Sequence, residues 1–115
     1  MSRNCQNYDR QHDSVILHES NKGYVVFCRC CETFSIAYGT VAFNQLESNY
    51  LSLISLLDSY YSSYYNKVNP EQRCIHIETH FYGINLFISL QEIEEFRDIL
   101  NQAYLLFEAQ RIINQ

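Results

Sequence analysis

Between residues 13 and 43 the apolar positions fall in short runs of extended-chain character, broken by polar or glycine-containing segments. Val15-Ile16-Leu17, within Asp13 to Glu19, reads as a strand. Ser20-Asn21-Lys22-Gly23 supplies turn chemistry with a glycine available for positive φ, and Tyr24-Val25-Val26-Phe27-Cys28 resumes as a β-branched and aromatic strand. Thr33 to Tyr38 alternates as a third strand, Gly39 marks a bulge or bend, and Thr40-Val41-Ala42-Phe43 continues extended. The period then lengthens. Asn44 and Glu47 have the spacing of a capping box, which predicts a helix start. Leu46, Tyr50, Leu53/Ile54, Leu57, Tyr61 and Tyr64 would share its buried face through about residue 66, before Asn66-Lys67-Val68-Asn69-Pro70 ends it.

The second half repeats the order. Arg73 to Thr79 reads as a strand with Ile75 and Ile77 on one face and Cys74, His76 and Glu78 on the other, because strand side chains alternate. Phe81-Tyr82-Gly83 turns the chain and Ile84 to Ile88 returns it. Ser89 and Glu92 form a second capping-box pair, opening a helix whose apolar stripe is Leu90, Ile93, Phe96, Leu100, Ala103 and Phe107. The expected fold is α+β, with the order β-β-β-α-β-β-α: one antiparallel sheet of about five strands with both helices covering one face. Tyr38-Gly39 and Tyr82-Gly83 each precede a strand and a capped helix, so a β-β-α duplication and coincidence both fit the pattern. Residues 1–12 lack apolar periodicity and are expected to be a flexible tail before a single domain over 13–115.

Composition narrows the functional classes. Charged residues are 18% of the chain, below the usual share of about a quarter, which suggests that a partner covers some of the surface. The formal charge of -5 and the scattered basic residues disfavour nucleic acid as a partner, since polyanion binding needs a concentrated basic face. No apolar run is long enough to cross a membrane and the first residues lack an apolar signal core, so the expected location is cytoplasmic. There, five cysteines argue for reduced thiols or metal ligands rather than a disulfide framework.

Cys28-Arg29-Cys30-Cys31 is the densest candidate chemistry. Cys28 and Cys31 have zinc-knuckle spacing, and Cys74 and His76 are the best candidates to complete a tetrahedral set, with His18 and His80 in reserve. Glu32 stands where such a knuckle carries glycine, and the competing reading is of thiols packed as small apolar groups at a strand end. Thioredoxin-like redox chemistry would need a following helix, whereas Thr33 to Ile36 reads as strand. No catalytic residues are identified: acids such as Glu92, Glu94, Glu95 and Asp98 suit the early turns of a helix, and the three glycines form no phosphate loop. Ser48, Ser52, Ser55, Ser59 and Ser62 recur at helical spacing, a stripe that fits either a solvated face or a homodimer or partner interface through the first helix.

The segments Gly23-Tyr24-Val25-Val26-Phe27-Cys28-x-x-Cys31, Ala37-Tyr38-Gly39-Thr40 and Ile75-His76-Ile77-Glu78-Thr79 resemble a family of small uncharacterised bacterial proteins, a domain of unknown function, over roughly residues 14 to 110. That resemblance implies no activity. The sequence therefore points to a small non-enzymatic binding or assembly module, with a zinc-binding module as the alternative and a thiol redox protein as the third reading.

Overall fold

The structure, a computed structural model, describes residues 14–79, 81 and 83–113. The expected tail at 1–12, reserve ligand His80 and turn residue Tyr82 lie outside the described residues. The elements are β1 (Ser14–Ser20), β2 (Gly23–Cys28), β3 (Thr33–Tyr38), β4 (Val41–Leu46), α1 (Glu47–Tyr64), β5 (Ile75–Glu78), β6 (Asn85–Ile88) and α2 (Leu90–Ile113). The α+β class holds. The strands form two antiparallel sheets, β1-β2-β3-β4 and β5-β6. The chain divides into two compact units, residues 1–50 with 102–115 and residues 51–101.

In the first unit the four strands form a meander. Val25 pairs with Ile36 and Ile36 with Phe43, while Phe27 pairs with Phe34 and Phe34 with Gln45, so these residues share one face. Tyr50, in the first turns of α1, and Phe107, near the end of α2, cover that face. The Phe34 ring centroid lies 4.4 Å from Tyr50, 4.9 Å from Phe107 and 4.9 Å from Phe27. Phe34, Val25 and Tyr50 are completely buried. The opposite face carries Ile16, Val26, Ser35 and Asn44, and is more open.

The segment after Tyr38 departs from the expectation of one bent strand. Tyr38 pairs with Val41 across the two residues Gly39 and Thr40, and Gly39 has φ +62°. Such a tight turn, with a left-handed glycine at its first central position, matches the twist of antiparallel neighbours and makes β4 a separate strand. The helix therefore starts at Glu47, not through an Asn44 cap. Asn44 is instead held in β4, where its Oδ1 accepts a 2.7 Å hydrogen bond from the hydroxyl of its cross-strand partner Ser35. Leu46 pairs with Thr33 at the end of β4 and is 53% exposed, so it is not part of the helical stripe.

Gly23 also has a role different from the expected one. It lies outside the positive-φ region, and a Cβ built there would stand 2.0 Å from the carbonyl oxygen of Ala37. Its lack of a side chain permits close backbone approach where β2 meets β3.

In the second unit, Ile75 pairs with Ile88 and Ile77 with Leu86, and all four are buried. The other face of this hairpin carries the exposed pairs His76–Phe87 and Glu78–Asn85. Thr79 organises the turn: its hydroxyl accepts from the Phe81 N–H at 3.1 Å and donates to the Ile84 carbonyl. The expected α2 cap is present in full. The Glu92 N–H donates to Ser89 Oγ at 3.1 Å and the Ser89 N–H donates to Glu92 Oε1 at 2.9 Å, a reciprocal capping box. The Gln91 N–H finds the Pro70 carbonyl at 3.0 Å, and Arg73 forks onto the Glu92 carboxylate with Nη2 at 2.7 Å from Oε2. Asn66, at φ +64° just past α1, ends that helix in the left-handed conformation asparagine tolerates.

Candidate functional site

The cysteine-rich turn joins β2 to β3. Cys28 is buried at the end of β2, and the Cys31 N–H points at its Sγ at 3.3 Å, while the Glu32 N–H donates to the Cys28 carbonyl at 2.7 Å. Glu32 has φ +58°, so it adopts the left-handed conformation that glycine supplies in a knuckle. Cys28, Cys31 and Cys74 are thiols, whereas Cys30 is disulfide-bonded and so departs from the expectation of reduced cysteines. Cys74 is exposed just before β5, and His76 is exposed on β5 opposite Phe87. Cys28 and Cys31 belong to the first unit, Cys74 and His76 to the second. Among the described residues, no group of three or more His, Cys, Asp or Glu side chains is gathered so that it could hold a metal ion. Ser48, Ser52, Ser55, Ser59 and Ser62 are all exposed on α1, where Leu51, Ser52, Ser55, Leu56 and Ser59 line a shallow depression.

A more developed site lies in the first unit and was not read from the sequence. It is an open cleft of about 640 Å³, with apolar walls of Val15 and Leu17 from β1, Phe27 from β2, Leu46 from β4 and Phe107 from α2. Its rim is polar: Arg29 and Glu32 from the cysteine turn, Glu47 from the start of α1, and Gln110 and Arg111 from the last turns of α2. The strand register supplies the walls. Val15 pairs with Phe27 on the face that carries Phe34, and the Phe27 ring lies 4.7 Å from Phe107.

Glu47 is the electrostatic hub of the cleft. Its Oε2 accepts a 2.5 Å hydrogen bond from the Tyr104 hydroxyl, and its Oε1 lies 3.2 Å from Arg111 Nη1. Arg111 also meets Glu108 at 2.6 Å and lies over the Phe107 ring at 4.7 Å. The Tyr104 hydrogen bond, with help from Arg111, holds the Glu47 carboxyl below the usual carboxylate range despite partial desolvation. Desolvation and the Glu47 hydrogen bond push the Tyr104 phenol up, and burial does the same for Tyr50. In the second unit Arg73 lowers Glu92 in the same way.

A carboxyl that titrates lower in the native state than in the unfolded chain contributes stability above the unfolded-state value of about 4.3, and loses it as pH falls through the native value. The conformational stability is therefore expected to be flat near neutrality and to fall below about pH 5 as Glu47 and Glu92 protonate. Urea unfolding across pH 7 to 3 checks this. Glu92→Gln should partly flatten the acid limb, and an unchanged slope would show that the Arg73–Glu92 pair contributes nothing.

Glu47 was invisible as a hub because its partners stand 57 and 64 positions away. The available sequence signal was an acid at a helix start and an arginine near a helix end, which ordinarily serve the helix dipole. Among the described residues, no helix is long and apolar enough to cross a membrane. No curated protein and no solved structure matches the chain. Residues 10–113 match the model of a family of unknown function, DUF6686, and the chain belongs to that family.

Proposed function

We propose that this protein is a small non-enzymatic binding module, and that the cleft of the first unit receives an amphipathic small molecule with an apolar body and one anionic group. The observation that carries this reading is the pairing of apolar walls with a polar, charged rim in one cleft, a combination that suits an amphipathic small molecule. The two cations on the rim differ. Arg111 is already neutralised by Glu47 and Glu108, whereas Arg29 is exposed and makes no ion pair among the described residues, which suits it to meet an anionic head. A hydrolytic or proton-transfer role has less support: the Glu47 carboxyl is held ionised and engaged by Tyr104 and Arg111, whereas a general acid or base is tuned towards neutrality.

Anilinonaphthalene sulfonate, an apolar anion, is a direct probe. The folded protein is expected to bind about one molecule with a dissociation constant on the order of micromolar, with amide shifts centred on cleft residues, Leu17, Phe27, Arg29 and Phe107 among them. Leu46 is half exposed, so Leu46→Glu should fold normally and, by placing a carboxylate in the cleft, weaken the anionic probe at least about tenfold. No binding to natively folded protein, or binding unaffected by Leu46→Glu, would remove the proposal.

Zinc held at the β2–β3 turn, with Cys28 and Cys31 as two of its ligands, is a second reading. It is favoured by the Cys31 N–H directed at Cys28 Sγ and by the left-handed Glu32, since both features suit a knuckle that presents two thiolates. Elemental analysis of the same preparation tests it. About one zinc per chain, lost in Cys28→Ser/Cys31→Ser, supports this reading, and metal-free protein with unchanged stability in that variant rejects it.

A further inference from the structure

The outward face of α2 changes character along its length. At about 100° per residue, Glu94, Glu95 and Asp98 share an arc with Leu105, Leu106, Ala109, Ile112 and Ile113. The early part of this arc is acidic, whereas its last three turns are apolar and turned to solvent. Leu105 is 71% exposed, Ile112 66% and Ile113 77%. The helix buries a different stripe, which includes Ala103 and Phe107, so these residues are surplus to the core. A contiguous apolar patch of this kind marks an interaction surface more often than a solvated face.

The spacing within the patch indicates what covers it. When two copies of one helix pair antiparallel about a two-fold axis at a given residue, positions equally far before and after that residue lie at the same level. Centred on Ala109, that rule sets Leu105 beside Ile113 of a second copy, Leu106 beside its Ile112, and Ala109 beside its own counterpart. Every large apolar residue of the patch thereby meets another, and the smallest one sits on the axis, where the two backbones approach most closely. A parallel arrangement would bring Glu94, Glu95 and Asp98 beside their own copies, and like charges at that spacing repel. The antiparallel arrangement carries the two acidic segments away from each other.

We propose that residues 105–113 of α2 form a self-association surface, on which a second copy of this chain docks antiparallel about Ala109. The paired stretch is only about 13 Å long, so the interface falls in the small, transient class, with dissociation on the order of tens of micromolar. This surface is independent of the cleft reading.

Sedimentation velocity of the full chain across low to high micromolar concentration tests it. The mass is expected to rise from 13.7 kDa towards twice that value. Leu105→Glu and Ile113→Lys, both at exposed positions, should each hold the protein monomeric with an unchanged circular dichroism spectrum. The double variant Leu105→Glu/Ile113→Lys should dimerise again, and weaken with added salt, because the antiparallel register places each new acid beside a new base. Ser55→Arg on α1 should leave the mass unchanged. A monomer throughout, a dimer indifferent to Leu105→Glu, failure of the double variant to recover, or loss of the dimer in Ser55→Arg would each overturn the proposal.

Discussion

Replacing Phe34 by alanine is expected to cost about 3–5 kcal/mol of stability, a large part of the roughly 5–15 kcal/mol available to a domain of this size. The ring is completely buried and touches three others, Phe27, Tyr50 and Phe107, at centroid separations of 4.9, 4.4 and 4.9 Å. These rings belong to β2, α1 and α2, so Phe34 joins the sheet of the first unit to both of its helical segments. Truncation loses the transfer free energy of the ring and leaves a void that neighbours held by sheet pairing fill only in part. Urea unfolding followed by far-ultraviolet circular dichroism measures the effect. Phe34→Leu, which retains much of the volume, should cost distinctly less, and a loss below about 1 kcal/mol for Phe34→Ala would show that the aromatic cluster is not the core of that unit.

Gly23→Ala is the second large effect, expected at about 3 kcal/mol because overpacking against backbone leaves no rotamer to yield. The added methyl would lie 2.0 Å from the Ala37 carbonyl oxygen and 2.8 Å from its carbonyl carbon, so β2 and β3 must separate near the Gly23–Tyr38 pair. Gly39→Ala is the informative comparison. Its φ of +62° makes a side chain unfavourable by about 1–2 kcal/mol, but no atom lies within 4 Å of the new Cβ. The expected order of thermal stability is wild type, then Gly39→Ala, then Gly23→Ala. If the two variants were equal, close approach to the Ala37 carbonyl would not be the dominant constraint at Gly23.

Legibility in the sequence followed the range of the interactions. The α2 cap was readable because Ser89 and Glu92 stand three positions apart and their reciprocal hydrogen bonds are local. The helix's buried stripe was readable too, since Leu90, Ile93, Phe96, Leu100, Ala103 and Phe107 all lie inside. Asn44 and Glu47 have the same spacing as that cap, yet Asn44 lies in a strand, because pairing of β4 with β3 decides the conformation there. Gly39 was recognised as a break, but whether the chain bends or reverses depends on the partner strand that meets it. The glycine missing from the cysteine turn proved a conformational equivalent, since Glu32 takes the left-handed φ.

By itself the sequence determined the α+β class, the succession of strands and helices apart from β4, the core face of α2 and the cap that begins it. Those features arise from periodicity and from groups a few residues apart, which any chain with this pattern would express. Tertiary structure alone decided that the six strands among the described residues form two sheets, that Gly23 is needed for close approach, and that Glu47 meets Tyr104 and Arg111 beside a cleft walled by Phe27 and Phe107. Register and packing bring together side chains more than 50 positions apart, and local spacing carries no record of those meetings.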